Sequence, residues 1–418
     1  MKNEPDSVAG SDSPSFDEAC RFIIKLGEAA HGYGSTATRL EAFLSRLTKS
    51  FGYDGVFRSM PTEIIFAFQE GDDPWQRAHM VAMPGTGIDL TRLAAVGDLV
   101  DDVESGNISL SDASVRLDEI DTMPHPWGTI ASAASYAMIG AAFAVLLSGS
   151  WWDVLVSALL SLVVYGMVSL SGRFGVRTAE WLPLSTAFVA GLLSVAAQVL
   201  VPELNIVLVT LSAILVLIPG YSISVGIVEL VGNHVVSGTS NLMSGLVYLV
   251  KQFVGAWLGV RLAGLLWSTS PLAGTGTGVD AHWLWLFMPL LIMGLSVVFQ
   301  TSRRDFLWVF LGSAIAYGGI LLGSAVVGAN LGNLLGTIIA VVYANTWSAR
   351  TKRPTSIILV PSIILLVSGS IGFRGLAAMS LGQVASGEQQ FLQMFIVALT
   401  IAAGLLIGNT IVRPEKTL

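Results

Sequence analysis

Charge is what this chain has least of. Asp, Glu, Lys and Arg together make up 12% of its 418 residues, about half the share found in a soluble globular protein. Apolar residues reach 53% and mean hydropathy is +0.69, so lipid must solvate much of the surface. Cysteine is nearly absent: the single Cys20 excludes an internal disulfide framework and any multi-cysteine metal centre. The five histidines are scattered, with no H-E-x-x-H spacing. No G-x-x-x-x-G-K-S/T loop is present either, which excludes a P-loop ATPase. No catalytic residue, metal site or cofactor is therefore expected, and the chain reads as a non-enzyme. No basic-then-apolar stretch opens the sequence, so the first span, rather than a cleavable signal peptide, is expected to target it.

The charge that is present divides unevenly. Residues 1–126 hold 10 Lys/Arg and 21 Asp/Glu, a net of −11; residues 127–418 hold 12 and 8, a net of +4; the two sum to −7. This pattern describes an acidic soluble head at 15–126, preceded by a polar tail at 1–14 that is expected to be disordered, and followed by a membrane body. An acidic head argues against binding nucleic acid or docking on anionic lipid.

From Trp127 onward, apolar stretches recur near 130–148, 152–171, 179–200, 205–218, 240–266, 283–299, 306–323, 329–347, 355–368 and 389–411. Most reach the roughly 20 residues needed to cross about 30 Å of hydrocarbon; the fourth and ninth are short and run into glycine. With the head in the cytoplasm, Arg173, Arg177, Arg303, Arg304, Arg350, Lys352, Arg353, Arg413 and Lys416 all fall inside, while loops 149–151, 201–204, 267–282 and 324–328 contain no Lys or Arg. The positive-inside rule then places both termini in the cytoplasm.

Ten spans divide into halves at 127–268 and 269–418, and an odd number per half inserts the second upside down. The expected fold is mainly α: ten transmembrane helices in two inverted five-helix halves, plus a small cytoplasmic α+β domain. Segment 217–238, LIPGYSISVGIVELVGNHVVSG, resembles segment 366–387, LVSGSIGFRGLAAMSLGQVASG, at an offset of 149. Without gaps they share Leu217/Leu366, Gly220/Gly369, Gly226/Gly375, Val235/Val384, Ser237/Ser386 and Gly238/Gly387. Pro219 lacks an N–H and Gly220 relaxes the backbone, so both segments are expected to be broken helices. Interrupted helices in matched halves point to a transporter's substrate site. Extramembrane loops are the competing reading.

Ionisable groups in the body are few. A charge at membrane depth needs a partner or a function, which singles out Glu229, Lys251, Arg261 and Arg374. Glu229 is the candidate proton carrier; Arg374 or Lys251 would hold a substrate carboxylate. Pro219, Gly220, Tyr221, Ser222 and Gly369 line the expected breaks, and Asn330 joins them as a polar candidate in the eighth span. Structural ion pairs or snorkelling side chains are the alternative. The G-x-x-x-G spacings at Gly328/Gly332/Gly336, Gly255/Gly259 and Gly404/Gly408 are expected to serve close helix packing.

In the head, Ser15-Phe-Asp-Glu18 reads as a capping box opening a helix. A second helix is expected from Ser35 to Phe51, an antiparallel meander at 53–59, 62–69 and 76–82, and helices near 89–105 and 111–121. His31, Ser35, Thr36, Thr38, Arg39 and Glu41 cluster at the first junction, a pattern that suits capping better than catalysis.

These features together resemble the threonine/serine exporter family, which also occurs as a split two-protein form. The resemblance rests on H-G-Y-G-S-T-A-T-R-L-E (31–41), G-I-D-L-T-R-L (87–93), Ile218-Pro-Gly220 running on to Glu229-Leu and Ser237-Gly-Thr239, R-P-T-S-I-I-L-V-P (353–361) and G-S-I-G-F-R-G-L (369–376). It implies a multi-pass exporter of L-threonine and L-serine in a bacterial inner membrane, driven by the proton motive force. Its implied partners are a small-molecule substrate, protons, the bilayer and a second copy of the chain. Two alternatives stay open: export of C4-dicarboxylates such as succinate, and a membrane-anchored sensor or hydrolase acting through the head.

Overall fold

The computed structural model describes residues 14–71, 73–83, 87–172, 176–267, 274–326, 328, 331–366 and 369–414, and they form two compact units. The tail at 1–13 and Asn330 lie outside the described residues.

The first unit is the α+β head. Helices α1 (Phe16–Gly32) and α2 (Ala37–Ser50) precede strands β1 (Asp54–Met60), β2 (Glu63–Gln69) and β3 (Arg77–Ala82), then α3 (Leu90–Glu104) and α4 (Leu110–Thr122). Ser15 Oγ accepts the Glu18 N–H at 3.3 Å and so starts α1. The strands form an antiparallel meander with Phe57 opposite Phe66. Their inward side chains, with Phe22, Leu26, Leu40 and Leu44 of the first two helices, make the core.

The second unit is helical: α5 (Thr129–Leu146), α6 (Trp151–Ser171), α7 (Val176–Leu200), α8 (Ile206–Ile214, prolonged by a 3₁₀ turn Leu215–Leu217), α9 (Gly220–Val231), α10 (Val235–Leu266), α11 (Leu284–Val298), α12 (Phe306–Val326), α13 (Gly332–Thr351), α14 (Ser356–Leu365), α15 (Gly369–Ser380) and α16 (Val384–Ile411). Among the described residues, eight helical stretches are long and apolar enough to span a membrane, or nine when α8 and α9, bent by 60°, count together. The expectation of ten is thus not met on length and apolarity. The stretch expected at 329–347 is α13, where Asn333, Thr337, Asn345 and Thr346 dilute the apolar content. Asn345 ties that helix to α16, donating to Asn409 Oδ1 at 2.9 Å and to the Val412 carbonyl at 2.6 Å.

The 149-residue repeat recurs in the helix boundaries. Helices α9 and α15 both have 12 residues, and the starts of α9/α15 (369 − 220), their ends (380 − 231) and the starts of α10/α16 (384 − 235) all differ by 149. The shared glycines explain the match. A Cβ at Gly226 would lie 2.9 Å from the Gly238 carbonyl oxygen, and one at Gly375 would lie 2.8 Å from that of Gly387. Each half-helix therefore crosses the long helix after it at a glycine–glycine contact. The other glycine spacings also pack helices, Gly255 and Gly259 on α7, Gly332 and Gly336 on α12, Gly404 and Gly408 on α13. Gly328 is different: it lies outside the helix with φ of +102°.

A second correspondence sits at the starts of α6 and α12. Ser150 and Asp153 form a reciprocal capping box, and the free oxygen of Asp153 accepts the Asn205 N–H at 2.8 Å. Ser302 and Asp305 make the same serine–carboxylate contact at 2.6 Å. Asp305, however, is buried against the Arg353 guanidinium. Arg353, read from the sequence as a loop cation, is therefore a buried ion-pair partner, because α12 supplies the carboxylate that neutralises it.

Candidate functional site

The helix break at Pro219 meets the first residue of α15. Ile218 is extended, and Pro219 makes a tight turn in which the Gly220 N–H reaches the Ile218 carbonyl at 2.8 Å, so α8 cannot continue straight into α9. A Cβ on Gly369 would lie 2.7 Å from Ile218 Cγ2, 2.8 Å from Gly220 Cα and 2.9 Å from Gly220 N. The first residues of α9 and α15 are thus in backbone contact, which only glycine at position 369 permits.

The long helices show how the half-helices run from this junction. Along α10, Gly238 and Gly245 meet the α9 residues Leu230 and Ile223, Leu249 meets Gly372, and Phe253 meets the Phe373 ring at 6.1 Å. Along α16, Gly387 meets Met379, Met394 meets Gly372, and Ala398 and Ala402 cluster with Ile227. Helix α9 and helix α15 therefore lie end to end beside both long helices, with N-termini together and C-termini apart.

One cavity borders the junction and another lies further along α15. One, about 200 Å³, is lined by Pro219, Tyr221, Ser222 and Ser370 together with apolar residues of α5, α11 and α14. The other, about 320 Å³, holds Arg374 with Asn205, Gln383 and Gln390. Glu229 lies on α9, 1% exposed, and its carboxylate accepts the Asn241 side-chain N–H at 2.8 Å.

The residues singled out from sequence thus separate. Pro219, Gly220 and Gly369 form the junction; Tyr221 and Ser222 line one cavity and Arg374 the other; Glu229 is buried further along α9. Lys251 does not join them: it is exposed, because successive residues turn by about 100° around a helix and its neighbour Gln252 takes the inward position. Gln252 is fully buried and donates at 3.1 Å to the Leu217 carbonyl, beside the break. Sequence reasoning missed Gln252, Asn241 and Gln390, uncharged amides in apolar helices. The 149-residue offset pairs two of them, Asn241 and Gln390, and would have flagged both.

Comparison with known proteins identifies the family. A threonine/serine exporter family model, ThrE, matches residues 21–263, and a second, "Threonine/Serine exporter, ThrE", matches 284–411. The "Threonine/serine exporter" of Corynebacterium glutamicum is 22% identical over 93% of this chain and 78% of its own. "Pheromone-regulated membrane protein 10" of Candida albicans is 24% identical over 85% of this chain and 33% of its own. The chain spans 30–48% of the length of the fungal relatives it matches. No solved structure matches. With one family model spanning more than half of the chain and the other the helices that complete the junction, this multi-pass membrane protein belongs to the threonine/serine exporter family.

Proposed function

We propose that the protein is a secondary exporter of small hydroxy amino acids, L-threonine and L-serine, built from two inverted five-helix halves. The observation that carries this reading is the contact of Gly369 with Gly220. It brings two half-helix N-termini, each the positive end of a dipole, to one point. A substrate carboxylate would accept N–H groups there, and the hydroxyls of Tyr221, Ser222 and Ser370 around the 200 Å³ cavity would pair with the substrate's own hydroxyl. The opposed courses of α9 and α15 support inversion, as does the serine–carboxylate contact repeated beside an uncharged loop at Asp153 and a basic one at Asp305. The positive-inside pattern supports cytoplasmic termini.

Proton coupling falls to Glu229. Arg374 stands five residues into α15 and Glu229 nine into α9; at 1.5 Å per residue they lie about 7.5 and 13.5 Å from the junction in opposite directions. A four-carbon amino acid cannot touch both. Substrate binding and proton handling are therefore assigned to different ends of the pathway. Arg374, rather than Lys251, attracts the substrate carboxylate on its way to the junction.

Counterflow in proteoliposomes with labelled threonine, serine and succinate tests the reading. Exchange of threonine and serine is expected; exchange of succinate alone would establish the dicarboxylate alternative, and exchange of none would reject transport of this class. Glu229→Gln should abolish flux driven by a pH gradient while leaving threonine counterflow within about threefold of the parent; unchanged coupling would remove Glu229 from that role.

A further inference from the structure

The cavity at Arg374 has a chemistry of its own. Its polar lining is Asn205, Arg374, Gln383 and Gln390, and among the described residues no carboxylate borders it. Arg374 and Gln390 both line it, and Arg374 Nε and Gln390 Oε1, buried themselves, have no hydrogen-bond partner within the protein. Asn205 caps the start of α8, its side chain accepting the Leu208 N–H at 3.1 Å, so the positive end of that helix borders the same space. At about 320 Å³ the cavity is the size of a small-ligand pocket.

The internal repeat shows why this end differs from the other. Subtracting 149 takes Arg374, Ala378, Gln383 and Gln390 to Val225, Glu229, His234 and Asn241. In the first half, Asn241 is occupied by Glu229. In the second half, alanine replaces that carboxylate and arginine replaces a valine, so Gln390 and Arg374 are left to a ligand.

We infer that this cavity is a second binding station for the transported α-amino acid, separate from the junction, with the α-carboxylate at Arg374 and the α-ammonium at Gln390. The inference rests on the exporter reading and deepens it. A zwitterion supplies an acceptor to the Arg374 guanidinium and a donor to the Gln390 side-chain carbonyl. A dicarboxylate supplies acceptors only and would set negative charge against that oxygen, so the station selects amino acids over diacids.

The test uses the full chain in nanodiscs, titrated with labelled L-threonine, N-acetyl-L-threonine and succinate, beside counterflow of the parent protein. Two threonine sites per chain are expected, with N-acetyl-threonine and succinate at least tenfold weaker at one of them. Arg374→Gln and Gln390→Leu should each weaken that site at least tenfold and leave the other, while Gln390→Glu, which keeps an acceptor for the ammonium, should hold threonine within about threefold. Parental binding in both Arg374→Gln and Gln390→Leu, or succinate binding as tightly as threonine at that site, would overturn the station. If the parent shows counterflow and the variants bind normally, only the station fails; if the parent shows no counterflow, the exporter reading fails, whatever the variants bind.

Discussion

Gln252 holds the break more directly than any charged residue around it. Its amide, on a side chain that is itself fully buried, donates to the Leu217 carbonyl. Gln252→Leu should leave that carbonyl unsatisfied and cost about 1–3 kcal/mol, visible as a lower melting temperature in detergent. Lys251→Gln, on the exposed neighbour, should leave both stability and flux unchanged. In the head, His31 is 3% exposed and its Nδ1 lies 3.0 Å from Ser59 Oγ. Burial pushes its pKa below the ordinary value, partly opposed by a hydrogen bond with the Pro61 backbone. The folded state therefore resists a proton that the unfolded chain accepts near pH 6.5. Stability is fully present above that pH and declines as pH falls through it. Amide exchange across α1, corrected for the intrinsic rate, should accelerate between pH 7.5 and 5.5, and His31→Gln should flatten that dependence. Burial likewise raises the Cys20 thiol to about 11, so maleimide labelling at pH 7.5 should be slow.

At the scale of the elements, the glycines divide into those that meet backbone and those that meet nothing. A Cβ at Gly226 would lie 2.6 Å from Leu242 N, whereas one at Gly318 has no neighbour within 4 Å. Gly226→Ala should force α9 from α10 at about 1–3 kcal/mol, while Gly318→Ala should be neutral or slightly stabilising; thermal unfolding of the two variants separates them. These elements were largely legible beforehand. The head's helices and strands follow from apolar periodicity, and most of the membrane helices from hydropathy. The break at Pro219–Gly220 follows from the missing N–H and the freed backbone. The role of α13 was less legible, because Asn345 serves a neighbouring helix and its threonines bond to carbonyls of their own helix. The burial of Arg353 was not legible, because an isolated loop cation in a sequence does not reveal the carboxylate of Asp305, just before α12, that lies beside it.

For the whole molecule, the decisive relation is the opposed course of α9 and α15. Val235 and Val384 occupy equivalent positions, one turn beyond each half-helix, and both are exposed at 60% and 52%. In a Cys20→Ser background, Val384→Cys should react with a membrane-impermeant maleimide in intact cells and Val235→Cys only in inverted vesicles. Labelling of both from one side would contradict the inverted halves. Composition, hydropathy and charge were enough to establish a membrane body with an acidic head, since the solvent each segment needs is written into its own side chains. The repeat at 149 residues marked the breaks for the same reason: proline and glycine act on the local backbone. That Gly369 rests on Gly220, that Gln252 rather than Lys251 faces inward, and that Arg374 and Glu229 stand at opposite ends depended on packing among helices distant in sequence. Such contacts are properties of pairs of surfaces, and no single stretch of chain encodes them.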